Sequence, residues 1–304
     1  MNKFMATAAL LAASLAVAHG AKAQEREYGP WVFTVEGGAL AQSEADFKDV
    51  DGAFSLSRWF MSAGIDYLWD TRNMLGVSVG GGSTDFDFDD GMGLPVDGPW
   101  GKIKDYRVSI NGRFSFGEKG TAFVIPTVRH NYESGASASD GRTWGLLGGV
   151  AWTVSDDLTI GPGIGWFERL SDSSRVFPIL IIDWNISERW NLSTGRGLAA
   201  SQGPGLTLSY QLNDAWSLGV AGRYEQVDFR LRDDGPVPGG VGRDETLPLV
   251  LSADWNPNPG MSLSVFAGSE FGGKLELLDA RGDLVEETEY DPSFILGGTF
   301  RLRF

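Results

Sequence analysis

The chain has 304 residues, 42% of them hydrophobic, with 25 basic and 40 acidic side chains, 42 Gly, 11 Trp and no Cys. A net charge of −15 argues against a nucleic-acid binder, whose polyanionic partner attracts basic surfaces, and against a polybasic membrane anchor. Lack of Cys excludes a disulfide framework, a thiolate metal site and a lipid-bearing Cys, while abundant Gly and Trp point to many strands and turns.

Residues 1–23 read as a cleaved secretory signal, with Lys3 first, an apolar run from Phe4 to Val17 and a small-x-small site at Ala21-Lys22-Ala23. The run is shorter than the ~20 apolar residues that a spanning helix needs. Cleavage removes Lys3 and Lys22 but no acid, leaving 23 basic against 40 acidic residues, a balance of −17, with His130 as the remaining His. Between Gly52 and Asp70 the apolar phase sits on even positions at Phe54, Leu56 and Phe60, then on odd ones at Ile65, Tyr67 and Trp69. A bulge near Met61 would allow one bent strand there, and an extra hairpin would change the strand count.

"DFDFDDG" at 85–91 sets Asp85, Asp87 and Asp89 on one face against Phe86 and Phe88, and reads as solvated acids above an outer phenylalanine belt. It departs from the calcium-loop pattern, since Asp90 stands where Gly belongs and Val96 where Glu belongs. From Lys104, apolar Tyr106, Val108, Ile110, Phe114 and Phe116 oppose Asp105, Arg107, Ser109, Asn111, Arg113 and Ser115. The catalytic possibilities are thin: His130 is followed by Asn131 and Tyr132, without the Ser two positions on that barrel lipases and deacylases carry, and its phase points it at lipid. "GPGIGW" at 161–166 has no helix after it to make a phosphate loop, and "RGD" at 281–283 is a chance triplet in an outer loop.

A phrase repeats along the chain: "WTVSDDLTI" from Trp152, "WNISERWNL" from Trp184, "YQLNDAWSL" from Tyr210 and "WNPNPGMSL" from Trp255, with a looser "YLWDTRNML" from Tyr67. Each joins two period-two flanks through turn chemistry, so each reads as a tight β-hairpin. Irregular spacing excludes a solenoid or propeller. Short turns on one side and longer loops on the other suit a transmembrane β-barrel, whose short turns face the periplasm. Trp69, Trp152, Trp184, Trp190, Tyr210, Trp216 and Trp255 then form an aromatic girdle at the lipid boundary. Six turns, at 70–73, 117–120, 155–157, 187–189, 213–214 and 256–260, give 14 antiparallel up-and-down strands, with 12 or 16 as alternatives. Outer loops are expected at 42–52, 90–101, 134–141, 171–174, 198–203, 232–244 and 279–288.

The chain ends "GGTFRLRF", with Tyr290, Phe294, Leu296, Phe300, Leu302 and Phe304 on one face and Glu289, Asp291, Ser293, Thr299, Arg301 and Arg303 on the other. This resembles the C-terminal strand of bacterial outer-membrane barrels. "VFPILIIDWNISERWNLSTG" and "GPGLTLSYQLNDAWSLGVAGRYEQVDF" likewise resemble a family of such barrels carried as a domain of unknown function. The resemblance implies an all-β barrel domain over 24–304 in the outer membrane of a Gram-negative cell, surrounded by lipid and lipopolysaccharide. It also implies an assembly signal at Phe300, Leu302 and Phe304, read by the barrel assembly machinery, and carries no catalytic residue. The expected lumen lining is Asp105, Arg107, Asn111, Arg113, Arg223, Glu225, Glu289, Asp291, Arg301 and Arg303, with no cofactor or metal and no enzymatic activity. A bore of about 14 strands leaves room for water, which makes a passive, mildly cation-preferring channel the leading expectation. A closed barrel acting through its extracellular loops is the alternative.

Overall fold

A computed structural model describes residues 30–90, 92–94, 98–171, 174–194 and 205–304. The signal segment and the loop expected at 198–203 lie outside these residues, as do parts of the loops expected at 90–101 and 171–174. The strand segments are β1 (Trp31–Asp46), β2 (Ala53–Leu68), β3 (Met74–Phe88), β4 (Lys102–Phe116), β5 (Gly120–Glu133), β6 (Arg142–Ser155), β7 (Leu158–Phe167) and β8 (Arg175–Asn185). They continue with β9 (Trp190–Thr194), β10 (Gly205–Gln211), β11 (Trp216–Arg223), β12 (Glu225–Arg230), β13 (Val241–Asn258), β14 (Met261–Leu278), β15 (Leu284–Tyr290) and β16 (Ser293–Arg303). Because β11 and β12 both pair with β13, and β15 and β16 both pair with β14, the 16 segments make 14 antiparallel staves. The last closes on the first: β16 pairs with β1 from Thr34↔Arg303 to Gln42↔Ile295, and Phe33 and Phe304 exchange backbone bonds of 3.1 and 2.8 Å. The chain is a closed, 14-stranded antiparallel β-barrel.

The six short turns fall where the sequence puts them, five of them in copies of the repeated phrase, and the phrase has a local cause. A polar residue three positions before the next strand's first large residue accepts the loose amides of the turn. Ser187 Oγ takes the N–H of Trp190 at 3.3 Å, and Asn213 Oδ1 takes that of Trp216 at 3.1 Å. Asp70 Oδ1 takes those of Arg72 at 2.7 Å and Asn73 at 2.9 Å. Donation from the Asn73 side chain, then from the Arg72 amide, holds the Asp70 carboxyl below its ordinary value.

Across the middle of the wall one face is apolar and exposed, the other polar. Val77, Val79, Val108, Ile110, Leu146, Ile164, Leu180, Leu249, Leu251 and Leu296 are outward and exposed, as lipid-facing residues must be. The ring pairs Trp31–Tyr67, Tyr67–Trp69, Phe116–Trp152, Trp190–Tyr210 and Trp216–Trp255 mark the periplasmic edge of this band. Trp59 on the same stave marks the other edge: about ten residues at ~3.3 Å each, tilted ~45°, span ~23 Å.

Nearer the outer end the pattern turns inside out. Phe54, Leu56 and Phe60 keep the inward, even-numbered phase of β2, and the stave runs in unbroken register against both neighbours through Met61. The phase change is therefore no bulge; the irregularity lies on β1 between Gln42 and Ala45. Phe86 and Phe88 also point inwards, stacking on Phe54 and meeting Trp100 edge-on rather than forming an outer belt. With Phe47, Met92, Ile103, Phe229, Leu275, Leu277, Tyr290 and Ile295 they build a dry core inside the barrel mouth. The staves here rise above the lipid. Val241 to Asp244 and Leu284 to Thr288 are strand rather than loop, and the outer loops there shrink to 231–240 and 279–283.

Gly273 shows how tightly this core is made. A Cβ at this position would sit 2.0 Å from the Tyr290 ring, on the stave opposite. Gly273→Ala is expected to lower stability by about 1–3 kcal/mol, as overpacking does. The midpoint of urea unfolding in detergent micelles measures it.

Candidate functional site

The bore has three storeys, each set by which side chains the inward phase supplies. The periplasmic storey is lined by short polar residues: Thr207 and Ser209 of β10, Ser217 of β11, Ser252 and Asp254 of β13, Ser262 and Ser264 of β14. They surround a cavity of about 420 Å³ that also takes in Glu36, Thr299, Arg301 and Arg303. The ion pairs here run between neighbouring staves: Arg301 binds Glu36 Oε2 through two nitrogens at 3.0 and 3.1 Å. Small side chains and sideways pairing leave this storey open to water.

The middle storey is charged and tied across. Arg58 of β2 bonds Thr84 Oγ1 at 3.0 Å and reaches Glu225 of β12 at 3.4 Å, although these staves are not neighbours. Asp244 and Glu270 lie within electrostatic reach of the same guanidinium, and Tyr290 Oη donates to Asp244 at 3.1 Å. On the opposite wall Asp105, Arg107, Asn111 and Arg113 share the inward face of β4, where Asp105 stands beside Asn131 and Arg107 beside Arg129. Asn111 donates to Ser78 Oγ at 3.3 Å and Arg113 to the Thr71 carbonyl at 3.1 Å.

Not every residue expected in the lumen is there. Glu289 is exposed on β15 and pairs with Lys48 at 2.9 Å, and Asp291 is exposed at the joint between β15 and β16. Pro292 breaks the alternation at that joint, so Tyr290 faces the core and Glu289 the solvent. Arg223 ends β11, opposite Gly205, on the inward face. Of the girdle residues, Trp69, Trp152, Trp184, Trp190 and Trp216 are exposed, and Tyr210 and Trp255 pack against them. On β16, Phe300 and Leu302 point outward and Phe304 is exposed.

β12 is the feature that the alternation did not reveal. Beyond Arg223 the stave bends into the bore at Tyr224, keeping β13 on one edge and touching β5 with the other. Arg230 bridges Tyr132, and Asn131 Nδ2 donates to the Asp228 carbonyl at 3.2 Å. The bridge is parallel, which neighbouring staves of an up-and-down barrel never are. β12 therefore works as a partition. Glu225, Val227 and Phe229 face the dry core, and Gln226, Asp228 and Arg230 face the other way, towards β6–β8. A sequence signal existed in "RYEQVDFR": a Tyr–Glu pair interrupts the small residues of β11, yet nothing in it says that the strand leaves the wall.

Behind the partition lies a second cavity, of about 110 Å³, lined by Asn131, Thr143, Phe167, Arg169, Arg175, Phe177, Tyr224, Gln226 and Asp228. The Phe167 and Phe177 rings stack at 5.8 Å. Phe177 lies flat on β7 because residue 165 is Gly; a Cβ there would meet the ring at 2.3 Å. This accounts for "GPGIGW" as a stripe that receives inward side chains of β8. The Arg175 guanidinium sits 4.8 Å above the Tyr224 ring and donates to Tyr224 Oη and Gln226 Oε1. Asp228 is held by Arg243 at 2.8 Å and Arg169 at 3.5 Å.

The remaining motifs take structural places. His130 shares the outward face with Tyr106, and its Nδ1 lies 2.8 Å from the Ala138 carbonyl. Asp85 pairs with Lys102 at 3.2 Å on the outer surface. Arg281-Gly282-Asp283 is a tight turn closed on Asp279, whose carboxyl the Asp283 and Arg281 amides hold below its ordinary value. Among the described residues no three His, Cys, Asp or Glu groups gather as a metal site would require.

Truncating the cross-bore tie leaves a buried carboxylate uncompensated. Arg58→Gln is expected to cost about 3–5 kcal/mol, with Arg58→Gln/Glu225→Gln losing less than the sum of the two single changes. Urea titrations of all three proteins in micelles test it, and additive losses would show that the pair does not interact.

No protein family matches the chain. No curated protein matches it either. Among solved structures it is similar to an outer-membrane channel from Pseudomonas putida F1, at 10% identity over 93% of this chain and 100% of that one, with a TM-score of 0.48. It is also similar to the translocator domain of the autotransporter NalP from Neisseria meningitidis, at 14% identity over 100% and 96%, with a TM-score of 0.41. A third likeness is to the toluene transporter TodX of Pseudomonas putida, at 8% identity over 90% of both chains, with a TM-score of 0.43. Scores this low decide nothing about cargo.

Proposed function

We propose that the protein is a passive, narrow channel of the Gram-negative outer membrane, exported by the signal at 1–23. The observation that supports this most is the uneven filling of the bore. Its outer half is blocked where the dry core sits, while the periplasmic vestibule and the cleft behind β12 hold space. Wetting even four of the buried core side chains would cost on the order of 6–12 kcal/mol, so solute is expected to avoid the core and use these two spaces. Asp105, Arg107, Asn111, Arg113, Arg223, Arg301 and Arg303 line the bore in this reading, and Glu225 serves the tie with Arg58. His130, on the outward face with its Nδ1 at the Ala138 carbonyl, is given no catalytic part in this reading. Phe300, Leu302 and Phe304 are read by the assembly machinery, and lipopolysaccharide surrounds the outer leaflet wall.

A closed barrel is the second reading, favoured by the same core and by the Arg58–Glu225 tie. Reconstitution of the folded protein into planar bilayers separates them. Small unitary steps that grow with salt are expected for the channel, and Arg58→Ala is expected to enlarge them. Silence from protein shown to be folded and inserted would instead establish the closed barrel.

A further inference from the structure

We propose that the cleft behind β12 binds a planar aromatic monocarboxylate at the extracellular mouth. Its walls come from the outermost residues of their staves, Asn131 near the end of β5, Thr143 at the start of β6, Phe167 at the end of β7 and Arg175 at the start of β8. The cleft therefore lies where a solute from outside arrives first. The stacked Phe167–Phe177 pair and the Tyr224 ring offer flat apolar surface, the arrangement that aromatic guests pack against. The volume of about 110 Å³ is near that of the ~150 Å³ engineered cavities that hold benzene, so there is room for one ring.

Arg175 supplies the charge. Its hydrogen bonds go to the neutral Tyr224 and Gln226, and among the described residues it makes no ion pair. Three carboxylates stand at the cleft, each engaged: Asp228 with Arg243 and Arg169, Glu168 with the Trp144 amide at 3.1 Å, and Glu245, opposite Gln226, with the Tyr224 hydroxyl. A guanidinium held over an aromatic ring, half-shielded from water and hydrogen-bonded to neutral groups, is suited to a carboxylate, which it binds through two parallel N–H groups. The ring of the guest then lies along the phenylalanines. Neither group alone selects such a molecule; the two together reject neutral aromatics on charge and aliphatic anions on shape.

The inference deepens the channel reading by naming the solute class, and its test reads binding rather than conduction. Benzoate, benzyl alcohol and benzylammonium are titrated into the folded barrel in detergent by calorimetry. Benzoate is expected to bind about tenfold or more tighter than the alcohol, and the cation not at all. Arg175→Gln should weaken benzoate about tenfold or more and leave the alcohol unchanged, while Lys119→Gln on a periplasmic turn should change neither. Heat-modifiable gel mobility confirms that each variant is folded, and Phe177→Leu, which keeps the apolar volume but removes the flat ring, is expected to weaken all aromatic guests alike. Equal affinity for acid and alcohol, or no benzoate binding by folded wild-type barrel, would overturn the proposal. Benzoate binding by a barrel that stays silent in bilayers would keep the site and discard the channel.

Discussion

Hydrocarbon offers no hydrogen bonds, and the rest of this structure follows from that. Every amide that crosses the lipid must find its partner in the protein, so a strand-built wall has to close on itself. The seam between β1 and β16 meets this demand, with the Phe33 and Phe304 amides paired at its periplasmic end. Once the wall is closed, side chains alternate between lipid and bore. The bore can then hold what no sandwich core tolerates, arginines and carboxylates at high density, because water and facing charges compensate them.

Above the lipid the same alternation acquires the opposite meaning. On the tall side of the barrel, β13 and β14 run for 18 residues each, against 10 for β7 and 11 for β8. The surplus length stands in water. There the outward face must be polar, as Asp85 with Lys102 and Glu289 with Lys48 are, and the inward face becomes the dry one. One stave thus carries two amphipathic patterns in a single phase: apolar-out in the membrane, apolar-in above it. Nothing in the backbone changes at the crossover, only the solvent.

This inversion explains what the sequence disclosed and what it concealed. Closed architecture, stave number and the six turns were legible because period-two runs set them and because Ser187, Asn213 and Asp70 mark their turns locally. Phe54, Leu56, Phe86 and Phe88 misled because alternation identifies two faces without saying which is inside, and an aromatic at the membrane edge has the same pattern as one in a dry mouth. Glu289 and Tyr290 exchanged faces at Pro292 for a different reason, since one irregular joint reverses every assignment beyond it. The cleft was hidden more deeply. Its residues come from five staves and meet only because β12 leaves the wall, a tertiary event with no periodic signature.

The departure of β12 is itself forced by the unequal heights. A dry core needs walls on all sides, and the low staves β7 and β8 do not rise far enough to supply one. β12 closes the gap by pairing with β13 and reaching β5, so that Phe229 covers the core and Asp228 meets the arginines behind it. The partition is stable because each face has its own partners: apolar contacts of Val227 and Phe229 with the Glu225–Arg58 pair on one, the charge pairs of Asp228 on the other. A strand with an unpaired charge on the core face would lose the core, and one with apolar residues on both would collapse the cleft. Stability of the mouth and selectivity of the cleft are thus two faces of the same six residues, Glu225 to Arg230.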